Sequence, residues 1–312
     1  MRLTDSIYVA GDTGLIGSAV KRRLSLLGYS NLLTISHGDL DLTDPTAVEH
    51  FFRDTNPQYV ILAAGRVGGI VENSAYPADF ITSNIGIQLN VLQSAARSGV
   101  ERLITYGSSC MYPRECPQPM GENQLLSGHP EPTSIAYAIA KLAGVHMCLA
   151  YNKQFGMQKF IPVIPNSAYG PNDNFDEKSG HVLSGLLARF HKAASEGSDE
   201  VVIWGTGNPR REFVHCDDIA DASIHLLQAD LDNAILPINV GVGADYSITE
   251  LAQHVADVVG FKGRITHDLD KPDGAPKKLL DSSRLNNLGW SPKVEFFEGL
   301  RMTYEWYLEN GN

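Results

Sequence analysis

Ile7-Tyr8-Val9-Ala10-Gly11-Asp12-Thr13-Gly14-Leu15-Ile16-Gly17 is the stretch that sets the architecture. Four apolar residues, short and partly β-branched or aromatic, read as a buried strand. They run straight into glycines spaced GxxGxxG, and an amphipathic pattern follows over about 15–27. Glycines at such a junction permit a tight turn, close approach of the backbone to a pyrophosphate, and close packing of helix on strand. The helix that follows aims its free N–H groups and positive dipole end at the phosphates. Three glycines alone carry little weight. Placed between the first strand and the first helix, Gly11, Gly14 and Gly17 point to a dinucleotide.

The pattern repeats outward. Apolar runs at 7–10, 32–35, 59–64, 103–106 and 160–164 read as strands, with helical patterns at about 15–27, 46–54, 81–98 and 135–155. Such alternation predicts parallel βαβ units and an α/β, doubly wound parallel (Rossmann) sheet. The pattern loosens after Pro165. A loop rich in Asn, Asp, Gly and Pro spans 165–180, followed by a helix near 182–194 and a strand at 201–204. Ser247-Ile-Thr-Glu250 reads as a capping box opening a helix to Val259, and the last helix is expected over about 296–308. Residues 1–165 with about 212–241 are expected to bind the cofactor. About 166–211 and 242–312 are expected to form a smaller α+β substrate-binding domain.

Composition narrows the function. The 312 residues carry 25 Lys and Arg against 36 Asp and Glu, a net charge of −11. That balance argues against nucleic acid, whose phosphates require clustered basic residues. With 43% apolar and 20% charged residues, the chain is ordinary for a globular protein. No apolar run approaches the roughly 18 residues of a membrane span, and the first strand follows the N-terminus without signal-peptide regions. A soluble, cytoplasmic protein without a membrane partner is expected. Four cysteines without a CxxC pair read as reduced thiols, buried at Cys116, Cys148 and Cys216, with no metal.

The end of the second strand bears on the cofactor. NAD sites tend to carry an acid there for the ribose 2′-hydroxyl. Here Thr34-Ile-Ser-His37 has none, which removes the repulsion a 2′-phosphate would meet and favours NADP. No Lys or Arg is present either, leaving Ser36 and His37 to serve. Asp39 and Asp41 follow as loop acids, Asp41 also within reach of an adenine.

Tyr137-Ala-Ile-Ala-Lys141 places a phenol and an ammonium on one helical face. A nearby ammonium favours the phenolate, so the spacing predicts a lowered Tyr137 that exchanges a proton near neutrality. Ser108 follows the fourth strand at its carboxyl end, where open α/β sheets bind ligands. It is placed to hydrogen-bond the same oxygen.

These residues together resemble the extended short-chain dehydrogenase/reductase family. Longer strings resemble the GDP-L-fucose synthase family within it: Val67-Gly-Gly-Ile70, Tyr76-Pro-Ala-Asp-Phe80, Gly107-Ser-Ser-Cys-Met-Tyr-Pro113, Tyr169-Gly-Pro-Asn-Asp-Asn-Phe175, Arg211-Glu-Phe-Val-His215 and Lys271-Pro-Asp-Gly274. The resemblance spans nearly the whole chain. It implies NADP(H) and a GDP-sugar: GDP-4-keto-6-deoxy-D-mannose is inverted at C3 and C5, then reduced at C4 to GDP-L-fucose. It assigns Ser108, Tyr137 and Lys141 to reduction. Cys110 and His181, which alone read as a buried small residue and a loop histidine, become the epimerising acid/base pair. Cofactor contacts are implied at Thr13, Leu15, Ile16, Leu42, Ala63, Ala64, Asn84, Lys141, Pro165, Ala168 and His181. Substrate contacts are implied at Arg189, Trp204, Arg211, Asp273 and Lys278. A homodimer is implied, with the helices at 81–98 and 137–155 packed across its axis.

Three departures from the family pattern stand out. Relatives often have Gly-His-Arg-Gly in the first loop, where this chain has Gly11-Asp12-Thr13-Gly14. Many have a basic residue where Ser36 or His37 stands. Pro-Thr-Asn-Leu-Tyr-Gly-Pro is replaced by Pro165-Asn-Ser-Ala-Tyr-Gly-Pro171. The nearest alternatives are a GDP-colitose synthase, another nucleotide-sugar 4-epimerase or dehydratase, and a non-catalytic NADP-binding sensor.

Overall fold

The computed structural model describes residues 1–176, 179–231, 237–271 and 273–311. Strands β1 (Ile7–Ala10), β2 (Leu32–Leu33), β3 (Tyr59–Leu62), β4 (Arg102–Tyr106) and β5 (Phe160–Pro165) alternate with helices α1 (Leu15–Leu26), α2 (Pro45–Thr55), α3 (Ile70–Ala75), α4 (Pro77–Arg97) and α5 (Ile135–Phe155). The chain continues through β6 (Ser167–Tyr169), α6 (Val182–Glu196), β7 (Glu200–Trp204), β8 (Arg210–Arg211) and β9 (Phe213–His215). Then come α7 (Cys216–Gln228), β10 (Ile238–Val240), β11 (Tyr246–Ser247), α8 (Ile248–Val259), β12 (Arg264–Asp268), β13 (Lys277–Lys278), α9 (Ser283–Asn287) and α10 (Phe296–Asn310).

Six strands form one sheet in the order β2-β1-β3-β4-β5-β10. Every pairing in it is parallel, with Ile7 opposite both Leu32 and Tyr59. Period-two alternation splits each strand between two cores. Ile7 and Val9 face α1 and α7, while Tyr8 and Ala10 face the layer of α2, α4 and α5. Each fully buried branched side chain contributes about 1.5–3 kcal/mol, so both faces of β1 stabilise the sheet. The chain leaves β1 for β2, then crosses back to β3. This reversal opens a crevice at the carboxyl ends of β1 and β3, where ligands of such sheets bind.

A second core gathers α6, α8, α10 and β7 around Leu187, Phe190, Leu251, Val255 and Leu300. Its strands are short: β11-β8-β13 form one small sheet, with β12-β7 and β6-β9 as separate pairs. Ser247 opens α8 through the expected capping box, its hydroxyl accepting from Glu250 N at 3.1 Å. Between these elements the chain returns to the large sheet. α7 packs on α1, β10 pairs with β5, and Leu285 and Trp290 enter the first core.

Three expectations change. β2 is two residues long instead of four, because at the sheet edge only Leu32 and Leu33 find partners on β1. α4 starts at Pro77, where a proline suits the first helical turn, four residues before the pattern starts in the sequence. The third concerns membrane length. The 3₁₀ turn at Pro132–Ser134 runs into α5, and 18 residues of this continuous stretch have a mean hydropathy of 1.3, which makes it long and apolar enough for a span by length and composition. Tyr137, Lys141 and His146 interrupt its apolar run, so counting consecutive residues overlooks it. It lies against α4 and β5.

Candidate active site

A cleft of about 1080 Å³ opens over the carboxyl ends of the large sheet and reaches into the second core. The glycine loop forms one wall. Gly11 has φ +80, and a Cβ there would meet Ala64 N at 2.7 Å. A Cβ on Gly17 would lie 1.9 Å from Gly11 O, so the helix can approach the strand only without one. Gly14 caps α1 in extended conformation with no side-chain cap, leaving first-turn N–H groups directed at the cleft. This cradle of bare backbone fits a dinucleotide pyrophosphate.

Most of the expected cofactor contacts line this cleft: Gly11, Thr13, Gly14, Leu15, Ile16, Ser36, His37, Asp41, Leu42, Ala63, Ala64, Lys141, Pro165, Ala168 and His181. Two do not. Gly17 lies beneath the loop. Asn84 is buried under the floor, its Nδ2 donating to Arg66 O at 2.9 Å and Phe80 O at 2.8 Å. At the first departure from the family pattern, Asp12 accepts from Lys21 Nζ at 2.7 Å. At the end of β2, Ser36 Oγ donates to Asp39 at 2.6 Å, and Asp41 accepts from Thr43.

The proton-handling groups meet deeper in. Ser108 caps the 3₁₀ turn Ser109–Met111, its Oγ accepting from Cys110 N at 3.2 Å. Tyr137 packs edge-on to Phe80, and Lys141 Nζ lies 5.8 Å from its ring centroid, over the ring face. The expected lowering of Tyr137 is corrected here. Burial pushes the phenol up, the neighbouring Cys110 adds to that, and a hydrogen bond from Ser108 only partly opposes it. Burial also brings the Lys141 ammonium down to about 8. Tyr137 therefore holds its proton at neutral pH, beside a lysine that is still mostly charged.

Cys110 and His181 are held differently. Burial pushes the Cys110 thiol up, but Lys278, Ser108 and His181 together outweigh it and leave the thiol below its ordinary value. Lys278 Nζ lies 3.4 Å from Cys110 Sγ. Burial lowers His181, but the Asp173 carboxylate outweighs it with help from Cys110, so the imidazole is raised. His181 Nδ1 and Asp173 Oδ1 are 3.0 Å apart, and the Asp173 side chain is 3% exposed with Oδ2 unpartnered. In Asp173→Asn the raising charge is gone and burial acts alone. The His181 midpoint is expected to fall by about one to three pH units. Imidazole NMR titration reads it directly, and an unmoved midpoint would show that Asp173 does not set it.

The expected substrate contacts Arg189, Trp204, Arg211, Asp273 and Lys278 also line the cleft. Trp204 is half exposed, with Arg189 at 5.9 Å and Lys271 Nζ at 5.8 Å from its ring, a flat surface beside two cations. Asp273 accepts from Thr206 N and Oγ1 at 2.9 and 2.7 Å, which fixes the 273–275 turn. Burial lowers Arg211, and the charges of Cys110, Glu131 and Asp273 oppose this. At the third departure, Asn166 lines the cleft, and its amide donates to the buried Glu212.

Sequence reasoning missed Asp173, Glu212 and the Lys278–Cys110 contact. Asp173 was visible only as one Asx residue among several ahead of His181. All four cysteines are free, but Cys116 is half-buried, not buried as expected, and its Sγ donates to the half-buried Gln124 Oε1. Among the described residues, His215, Cys216 and Asp217 cluster closely enough to suit a metal. The Arg22 guanidinium already donates to both Asp217 and Cys216, however, and a cation there opposes a second one.

Residues 7–241 match the NAD dependent epimerase/dehydratase family. The chain is 51% identical over 304 residues to a putative GDP-L-fucose synthase 2 of Arabidopsis thaliana, covering 97% of this chain and 92% of that one. It is 46% identical over 311 residues to the GDP-L-fucose synthase of Escherichia coli, covering 97% of each. Among solved structures, a GDP-mannoheptose C4 reductase from Campylobacter jejuni with NADP bound superposes with a TM-score of 0.90. It has 38% identity and covers 99% of both chains. The glycine cradle, the Ser108–Tyr137–Lys141 group and these full-length likenesses agree: the chain belongs to the NAD dependent epimerase/dehydratase family and groups there with the GDP-L-fucose synthases.

Proposed function

We propose that this protein is a bifunctional 3,5-epimerase and NADPH-dependent 4-reductase that converts GDP-4-keto-6-deoxy-D-mannose to GDP-L-fucose, as a cytoplasmic homodimer. The observation that carries this reading is two separate proton-handling sets on one cleft: Ser108 with Tyr137 and Lys141, and Cys110 with His181. A simple C4 reductase requires only the first set. The names of the relatives supply the sugar nucleotide.

C3 and C5 both flank the C4 ketone, so their protons are acidified through an enolate. Cys110, held toward its thiolate, removes such a proton, and His181, kept protonated by Asp173, returns one to the opposite face. Ser108 and Tyr137 hold the C4 oxygen, and Tyr137 gives it a proton during reduction. NADPH, when bound, supplies the hydride to C4. Its pyrophosphate belongs on the Gly11–Gly14 cradle and the α1 N-terminus, with Ser36 and His37 at the 2′-phosphate. Arg189, Arg211 and Trp204 belong with the GDP group, Arg being suited to clasping phosphate oxygens. In this reading, residues 1–165 and about 212–241 serve the cofactor and the remainder serves the sugar nucleotide.

The dimer is supported by exposed apolar residues on α5 and α4. Ile135 and Ile139 stand one turn apart on α5, with Leu89 on α4, and all three are exposed. The four free thiols suit a reducing compartment.

The test mixes the purified protein with GDP-4-keto-6-deoxy-D-mannose in deuterated water and follows NADPH and NADH oxidation separately. NADPH-dependent GDP-L-fucose carrying deuterium at C3 and C5 is expected. Reduction without deuterium entry would leave a C4 reductase, and no oxidation of either cofactor would overturn the reading. An equal rate with NADH would overturn only the cofactor preference, and would trace to the Asp12–Lys21 pair and the lack of Lys or Arg in Ser36-His37.

A further inference from the structure

Lys278 reads in the sequence as an anion anchor, yet its amine lies on a thiol. β13 contains only Lys277 and Lys278; it pairs with β8, and Lys277 is held by Gln118 and Asp245. The Lys278 end is held by Glu212, which is fully buried. The Glu212 carboxylate accepts from Asn166 Nδ2, Val242 N, Gly243 N and Leu280 N. Glu212 N donates to Lys278 O at 3.2 Å, and Asn166 Nδ2 donates to the same carbonyl at 3.2 Å. A buried carboxylate with four donors is fully satisfied and therefore rigid. The Lys278 backbone is thus clamped, and its side chain ends 3.4 Å from Cys110 Sγ.

We propose that Lys278 activates Cys110 by holding its thiolate, and that buried Glu212 and Asn166 are positioning residues that keep Lys278 there. The proposal rests on the reading of Cys110 as the epimerising base.

Physical chemistry favours this arrangement. Burial alone keeps a thiol protonated, whereas an adjacent ammonium stabilises the thiolate. Four titratable side chains face Cys110: Lys278 from β13, His181 from the head of α6, Tyr137 from α5 and Arg211 from β8. Tyr137 is uncharged at neutral pH. Of the three cations, Lys278 is the one in hydrogen-bond contact with the sulfur. The thiol proton leaves to solvent and Lys278 keeps all of its own. The charge is therefore not consumed when the thiolate takes a carbon-bound proton.

Iodoacetamide labelling of the Cys110 peptide, read by mass spectrometry across about pH 5 to 10 without sugar nucleotide, tests this. The wild-type midpoint is expected below the roughly 8.5 of a free thiol. Lys278→Met should raise it by at least one unit, slowing labelling at pH 7 about tenfold. Lys278→Arg should keep it low. Asn166→Ala, which removes one clamp on the carbonyl, should raise it by less. NADPH titration of each variant verifies that the fold is intact. A wild-type profile in Lys278→Met would overturn the activation, even if deuterium exchange is lost, because Lys278 would then act on the substrate alone. A Lys278-dependent midpoint in a wild-type protein that turns over no GDP-sugar would instead overturn the proposed function and leave the activation standing.

Discussion

Tyr137→Phe will reduce the ketone about 10²–10⁴-fold more slowly than wild type while still exchanging solvent deuterium at C3 and C5. Burial keeps the phenol protonated beside a charged lysine, which fits the proposed role of Tyr137 as the acid for the C4 oxygen. Phenylalanine preserves the edge-on contact with Phe80 and removes only the hydroxyl. In the proposed function deuterium exchange is carried by Cys110 and His181, so it is expected to continue in the variant, which separates the two half-reactions in one NMR experiment. Wild-type reduction in Tyr137→Phe would show that the proton comes from elsewhere and that the Ser108–Tyr137–Lys141 reading is wrong.

Cys110→Ala should give the mirror image. Deuterium entry at C3 and C5 should fall by a comparable 10²–10⁴-fold, about the worth of one positioned base, while NADPH binding is unchanged. The side chain sits at a 3₁₀ turn held by Ser108 Oγ and the backbone of Ser109–Met111, so losing the thiol costs the turn nothing. Lys278 loses its partner but still lines the open cleft. Normal exchange in this variant would remove Cys110 from the chemistry. Loss of NADPH binding would show a fold defect, and Cys110→Ser would then replace it as the probe.

What the sequence made legible follows from locality. The β1 glycine loop is read easily because its requirement is steric and satisfied within ten residues: Gly17 must be bare where it crosses Gly11 O. The helix spacing of Tyr137 and Lys141 was equally readable, but its consequence was not. The sequence shows that an ammonium is near, not that burial raises the phenol. α7 was legible but went unread: nine of its thirteen residues are buried, and the other four, Asp217, Asp221, His225 and Gln228, form a polar stripe at helical spacing. β8, β11 and β13 have two residues each, too few for any alternation. The Lys278–Cys110 contact joins positions 168 residues apart, and only the folded chain brings them together.

The repeated crossing between the two cores has a bearing on how such an enzyme can change over time. After β9 the chain goes back to lay α7 on α1 and β10 beside β5, and later sends Leu285 and Trp290 into the first core. No single cut frees the sugar-side elements as a cassette, so they cannot be shuffled whole between genes. New sugar specificity on this scaffold is expected to arise by piecemeal exchange of the residues that line the cleft.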